Sequence, residues 1–188
     1  RNGHNCAGSV VHENEVGQIY GQTLAVDRIG RRTTREHPLL SARTCLGGLA
    51  ADAVDEGPYF RLVSATREEE AIGIAVGSYA TGRNAAVFMQ SSGFGNSVNA
   101  LASLCIPART PIPMFINMRG GPGEFNIAQV AMGRAVIPIM DQLGLPHFVL
   151  EDDGKMDKLL DGAMKLCHAN RQPLAICLTQ MLHGGKIA

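Results

Sequence analysis

From Thr44 onward the chain alternates helix-like and strand-like apolar segments, joined by short polar or glycine-rich stretches. The apolar positions predict a helix over 45–54, a short strand over 59–64, a helix over 66–81, a buried strand over 85–90 and a helix over 97–104 that Pro107 ends. A strand over 113–118, a helix over 132–143, a strand over 147–150, a helix over 155–169 and a strand over 174–178 complete the series. Strands alternating with helices in this way predict an α/β fold, a doubly wound parallel sheet with helices on both faces. Residues 1–43 do not share the rhythm. They carry scattered charge (Arg28, Arg31, Arg32, Arg35, Glu36) and no clean apolar period, so no element is assigned and order is not imposed on them. The domain is read as 44–188, preceded by an atypical segment.

Composition narrows the function classes. A chain of 188 residues is the size of one ordinary domain. Seventeen Lys and Arg balance seventeen Asp and Glu, so no net field draws nucleic acid or acidic lipid, and neither is expected as a partner. No stretch approaches the roughly 20 apolar residues of a membrane span. Residues 1–8 lack the apolar middle of a signal peptide, so a cytoplasmic location is expected. Cys6, Cys45, Cys105, Cys167 and Cys177 are odd in number and contain no C-x-x-C pair, which predicts buried thiols rather than disulfides or a zinc site.

Three segments carry candidate chemistry. In Thr66-Arg67-Glu68-Glu69-Glu70, Thr66 and Glu69 have the spacing of a capping box. At about 100° per residue, Glu68 falls on the stripe of Ile72, Ala75 and Tyr79, while Glu69 and Glu70 point away. A carboxylate on an apolar stripe is costly unless it is held or used; the alternative is a solvated residue of the first turn that serves the helix dipole. Next, the strand ending at Gln90 runs into Ser91-Ser92-Gly93-Phe94-Gly95-Asn96-Ser97-Val98-Asn99, read as a junction whose glycines admit a ligand to the backbone or merely make a tight turn. It is a poor dinucleotide fingerprint, because Val98 stands where the third glycine belongs. Finally, Arg119-Gly120-Gly121-Pro122-Gly123-Glu124 follows the next strand, and Arg119 is a candidate clamp for an anion or a solvated loop residue.

Together these segments resemble the pyrimidine-binding domain of thiamine-diphosphate-dependent decarboxylases, and more narrowly the alpha subunits of sulfopyruvate decarboxylase and their phosphonopyruvate decarboxylase relatives. The resemblance rests on Thr66–Glu70 with Gly73-Ile74-Ala75 and Gly77, on the block from Gln90 to Leu101, on Arg119-Gly120 with Gly123-Glu124, and on Ala128-Gln129-Val130 with Met132-Gly133-Arg134. It implies that Glu68 is the catalytic carboxyl, hydrogen-bonded to N1′ of the aminopyrimidine and sharing its proton, which activates the coenzyme toward a 2-oxo acid. It further implies thiamine diphosphate as cofactor, with Gly93, Phe94, Gly95 and Asn96 beside it and Gln90, Ser92, Asn99 and Arg119 near the substrate. The expected reaction converts sulfopyruvate to sulfoacetaldehyde and CO₂; phosphonopyruvate is the alternative substrate, and a non-catalytic binding or regulatory subunit the alternative role.

Two departures from the family pattern sharpen this. No Gly-Asp-Gly occurs in the chain, so the diphosphate and Mg²⁺ are expected to be held by a separate beta subunit, with the site at the boundary. The family's first strand ends in a Pro-Asp-Ser-like turn, where Ser41-Ala42-Arg43-Thr44 stands here. Residues 1–43 are therefore read as divergent or as the product of a shifted reading frame.

Overall fold

The computed structural model describes residues 39–43 and 60–183. The helix expected over 45–54 and most of the amino-terminal segment lie outside them. The described strands are β1 (Leu39–Arg43), β2 (Phe60–Ser64), β3 (Ala85–Gln90), β4 (Pro113–Asn117), β5 (His147–Leu150) and β6 (Leu174–Leu178). The helices are α1 (Glu68–Ala80), α2 (Ser91–Ala100), α3 (Ile127–Leu143) and α4 (Met156–Asn170).

The six strands form one sheet of order β2-β1-β3-β4-β6-β5, parallel at every pairing. β1 falls where the apolar pattern assigned no element. It pairs with both β2 and β3, so the slot of the first strand is filled. The central strands β4 and β6 are buried at every position, as strands covered on both faces must be.

Alternation along the strands divides the core in two. Val87, Met89, Met114, Ile116 and Cys177 point to one face and meet Ile72 and Ala75 of α1, Phe94 of α2, and Val136 and Met140 of α3. Phe88, Phe115, Ile176 and Leu178 point to the other, against Met156, Leu160, Ala163 and Cys167 of α4. Phe88 and Phe115, opposite one another in register, stack with ring centroids 4.7 Å apart. Helices thus cover both faces, as the alternating pattern predicted.

Two helices begin earlier than their sequences suggest. α2 starts at Ser91, directly after β3, so the residues read as a junction loop form its first two turns. Its glycines are packing surfaces. A methyl group on Gly93 would lie 2.5 Å from Glu68 Cγ, and one on Gly95 would lie 2.9 Å from Met132 Sδ, so α2 meets α1 and α3 through its bare backbone. A π-type turn, Leu101–Cys105, extends α2 before Pro107. α3 starts at Ile127 because Asn126 caps it, its side chain accepting from Ala128 N at 3.1 Å. It ends on Gly144, whose φ of +62° closes the last turn. The capping box is also shifted: Thr66 N donates to Glu70 Oε2 at 2.8 Å, while Glu69 pairs with Arg67 at 2.8 Å.

The described cysteines, Cys105, Cys167 and Cys177, are free and buried, and burial pushes each thiol up to about 12. Among the described residues no helix is long and apolar enough to cross a membrane.

Candidate active site

Because all strands run the same way, their carboxyl ends lie on one edge of the sheet. That edge collects Glu68 after β2, Gln90 and Ser91 after β3, Arg119 after β4 and Gln180 after β6. The strand order reverses between β1 and β3, and open parallel sheets bind ligands outside the carboxyl ends at such a reversal.

Glu68 opens α1 and is half-buried. Its side chain lies across the first turn of α2, against Gly93, and Asn96 Nδ2 donates to its Oε2 at 3.0 Å. The exposed N–H groups at a helix start favour negative charge there. The stripe geometry read from the sequence is therefore realised, with Ala71, Ile72, Ala75 and Ser78 as the buried face and Tyr79 at its margin. Gly93 is the feature that permits the approach, since any larger residue would displace the carboxylate.

The other expected site residues separate. Gln90 and Ser92 are half-buried at the edge. Asn99 is exposed two turns into α2, where its Oδ1 accepts from Ser103 Oγ at 3.2 Å. Phe94 is fully buried in the core and Gly95 faces Met132, so both act in packing α2 rather than at the open edge.

Arg119 differs most from its expected role as an anion clamp. Its fork is already closed on Glu124, with Nε to Oε2 at 2.7 Å and Nη2 to Oε1 at 3.0 Å. The Glu124 side chain is buried, at 2% exposure, and that of Arg119 is partly buried, at 13%. Glu124 also accepts from Gly120 N at 3.2 Å, Asn126 N at 2.9 Å and Gln180 Nε2 at 3.0 Å. The Arg119 fork, ahead of these backbone donors, holds the Glu124 carboxyl down at about 2, against the opposing pull of burial. On the strand side, Arg119 Nη1 donates to Gln90 Oε1 at 3.4 Å and Arg119 N donates to Ser91 Oγ at 2.8 Å. Ser91 Oγ in turn donates to Asn117 O at 3.1 Å.

The loop carrying Arg119 is clamped to α3. A methyl on Gly133 would lie 1.9 Å from Arg119 O, and Gly120, at φ +77°, has the Val130 backbone 2.8 Å from where a Cβ would stand. Sequence reasoning did not single out Glu124, Ser91, Gln180 or Asn117. The buried Asn117, at the end of β4 beside Gln90 in register, has an Oδ1 with no hydrogen-bond partner among the described residues. The five-residue spacing of Arg119 and Glu124 across glycines was the available signal for the ion pair.

No protein-family model matches the chain. In fold it is similar to a 2-oxoglutarate:ferredoxin oxidoreductase from Magnetococcus marinus, with a TM-score of 0.59 over 87% of this chain and 29% of that one, at 14% identity. The fold is thus a doubly wound α/β domain of the kind present in that oxidoreductase. In sequence, 109 residues are 45% identical to sulfopyruvate decarboxylase subunit alpha of Methanothermobacter thermautotrophicus, covering 58% of this chain and 63% of that relative. The subunit alpha of Methanococcus maripaludis is 37% identical over 116 residues, 62% of this chain and 70% of the relative. A phosphonopyruvate decarboxylase of Streptomyces viridochromogenes is 34% identical over 96 residues, half of this chain and 24% of that one. The chain belongs to the sulfopyruvate decarboxylase alpha-subunit family.

Proposed function

We propose that the chain is the pyrimidine-side subunit of a thiamine-diphosphate-dependent 2-oxo-acid decarboxylase that converts sulfopyruvate to sulfoacetaldehyde and CO₂. The observation that carries this is Glu68, half-buried across Gly93 at the carboxyl edge and held by Asn96. The fit to the coenzyme rests on the chemistry of this group: a half-buried carboxylate, held by Asn96 and given room by the bare Gly93, can share a proton with a ring nitrogen.

When bound, thiamine diphosphate supplies the electron sink for the pair left as CO₂ departs. Glu68 holds the proton at N1′ of the aminopyrimidine, and Asn96 fixes which way the carboxylate faces. Gly93 and Asn96, which place the Glu68 carboxylate, would stand beside the ring. Phe94 and Gly95 set their position from the core side. Gln90, Ser92 and Asn99 are the substrate-side candidates, and the orphaned Asn117 Oδ1 marks the same edge as one that takes a polar partner.

The diphosphate and its Mg²⁺ are assigned to a separate beta subunit, a reading supported by the alpha-subunit names of the relatives. Phosphonopyruvate is the second reading, favoured by the Streptomyces relative. The test is co-expression with a beta subunit carrying Gly-Asp-Gly, followed by CO₂ release from a panel of 2-oxo acids with thiamine diphosphate and Mg²⁺. Release from sulfopyruvate that Glu68→Gln abolishes supports the proposal. Release unchanged in Glu68→Gln, or none from any 2-oxo acid, refutes it.

A further inference from the structure

β5 closes one side of the sheet, and no strand lies beyond it among the described residues. It runs parallel to β6, with Ala175 N donating to Pro146 O at 2.9 Å and Thr179 N to Leu150 O at 3.2 Å. In a parallel ladder each residue turns its N–H and C=O to one side, and the next residue turns them to the other. Phe148 and Leu150 therefore bond toward β6, while His147, Val149 and Glu151 direct their backbone groups outward. The side chains do not guard that edge. His147-Phe148-Val149-Leu150 contains no lysine, proline or bulge, the devices that keep exposed strands from pairing. Phe148, beside Ile176 on the α4 face, is 38% exposed, and Val149, beside Cys177 on the α3 face, is 45% exposed. We infer that β5 is a self-association surface: it pairs antiparallel with β5 of a second copy of this chain, so that the sheet continues through a two-fold axis.

The register of that pairing follows from the side chains. A two-fold axis normal to the sheet keeps each face continuous, so residues on the same face of the strand must stand opposite one another. With Val149 on the axis, it exchanges both N–H···O bonds with its counterpart, and His147 does the same with Glu151 of the second copy. His147 lies on the α3 face, its Nε2 3.8 Å from Asp141 Oδ1, and the exposed Glu151 continues the alternation onto that face. A basic residue thus meets an acidic one at each end of the ladder. Phe148 meets Leu150 of the second copy on the α4 face, which extends the cluster of Leu150 and Met156 across the axis. Centring on Phe148 would instead set Glu151 against Leu145, and centring on Leu150 would set Val149 against Glu151 and Phe148 against Asp152. Base at one end and acid at the other make the strand complementary to its own reverse, which favours a second copy over an unrelated partner. The inference is independent of the coenzyme and of the reaction proposed above.

Sedimentation equilibrium of the full chain should show a monomer–dimer equilibrium. Val149→Pro removes only an outward N–H, so β5 keeps its bonds to β6 and the circular dichroism is unchanged, while the dimer dissociation constant rises by at least about tenfold. Should Val149→Pro fail to fold, Val149→Lys keeps the N–H and sets a charge against its counterpart on the axis, with the same expected loss. Glu151→Lys should weaken the dimer, and adding His147→Glu should restore it by re-forming the pair with its signs exchanged. A monomer at every concentration, a dimer indifferent to the Val149 variants, or a charge exchange that fails to restore it overturns the inference. So does a dimer lost in Ile127→Asp, at the exposed start of α3, and kept in Val149→Lys. Val149 variants that leave the dimer intact but abolish binding of the beta subunit would overturn it as well, giving β5 to that partner.

Discussion

Gly93→Ala separates the role of Glu68 from the stability of the fold. The new methyl would stand 2.5 Å from Glu68 Cγ and 2.8 Å from both Cδ and Oε1. Carbon atoms rest about 3.5–4.0 Å apart, so one side must retreat by about 1 Å or more. The obstacle is a side chain with three rotatable bonds, not backbone, and Glu68 therefore swings away while α2 stays in place. That movement stretches the 3.0 Å contact from Asn96 Nδ2 beyond the range of a hydrogen bond. Alanine in a helix gains about 1 kcal/mol over glycine, and this offsets most of the lost charged hydrogen bond, about 1.5 kcal/mol for a partly exposed pair. Net stability should change by less than about 1 kcal/mol in urea unfolding. Thiamine-diphosphate-dependent turnover, by contrast, should fall on the order of 100-fold, the cost of misplacing a reacting group by about 1 Å. Gly77→Ala, with nothing within 4 Å of its Cβ, is the matched control and should leave turnover unchanged. Ordinary turnover in Gly93→Ala would refute the assignment of Glu68. A loss of several kcal/mol would show that the backbone, not the carboxylate, absorbs the strain.

Gly133→Ala should fail differently, because its methyl would lie 1.9 Å from the Arg119 carbonyl with backbone on both sides; we expect a loss of about 3 kcal/mol in urea unfolding, and an unchanged midpoint would contradict the packing described. Arg119→Ala should destabilise by about 3–5 kcal/mol, since it leaves Glu124 buried without its cation. Because the fork is spent on Glu124, KM should not rise selectively for doubly anionic substrates over pyruvate; a selective rise would return Arg119 to the substrate. Acid titration tests the ion pair from the other side. The Glu124 carboxyl is lowered from 4.5 to about 2 in the fold, so its contribution, about 3 kcal/mol, is complete above pH 4.5 and disappears as the pH falls toward 2. Glu124→Gln should flatten the stability profile over that window, and parallel profiles would argue against the pair.

Much of this protein was legible in the order of its residues. Apolar periods placed β2, β3, β4, β5, β6 and the two helices α1 and α4 to within a few residues, and with them the parallel α/β architecture, because burial on a strand or helix face follows a local repeat. Glu68 could be singled out for the same reason: its angle on the α1 stripe depends only on neighbours within three turns. The reading failed where local preference and distant packing disagree. Ser91 to Asn96 is rich in poor helix formers, so its sequence suggests a loop. It is helical because Gly93 and Gly95 let α2 lie directly against Glu68 and Met132. Arg119 looked free for a ligand: its five-residue spacing from Glu124 across glycines allowed the ion pair, but only the fold brings Gln180, 56 residues beyond Glu124, onto the same carboxylate. Chain order thus determined which elements form and which face each turns inward. Only the folded sheet, by bringing four strand ends to one edge at backbone contact distance, decided which polar groups were left for chemistry and which had already neutralised one another.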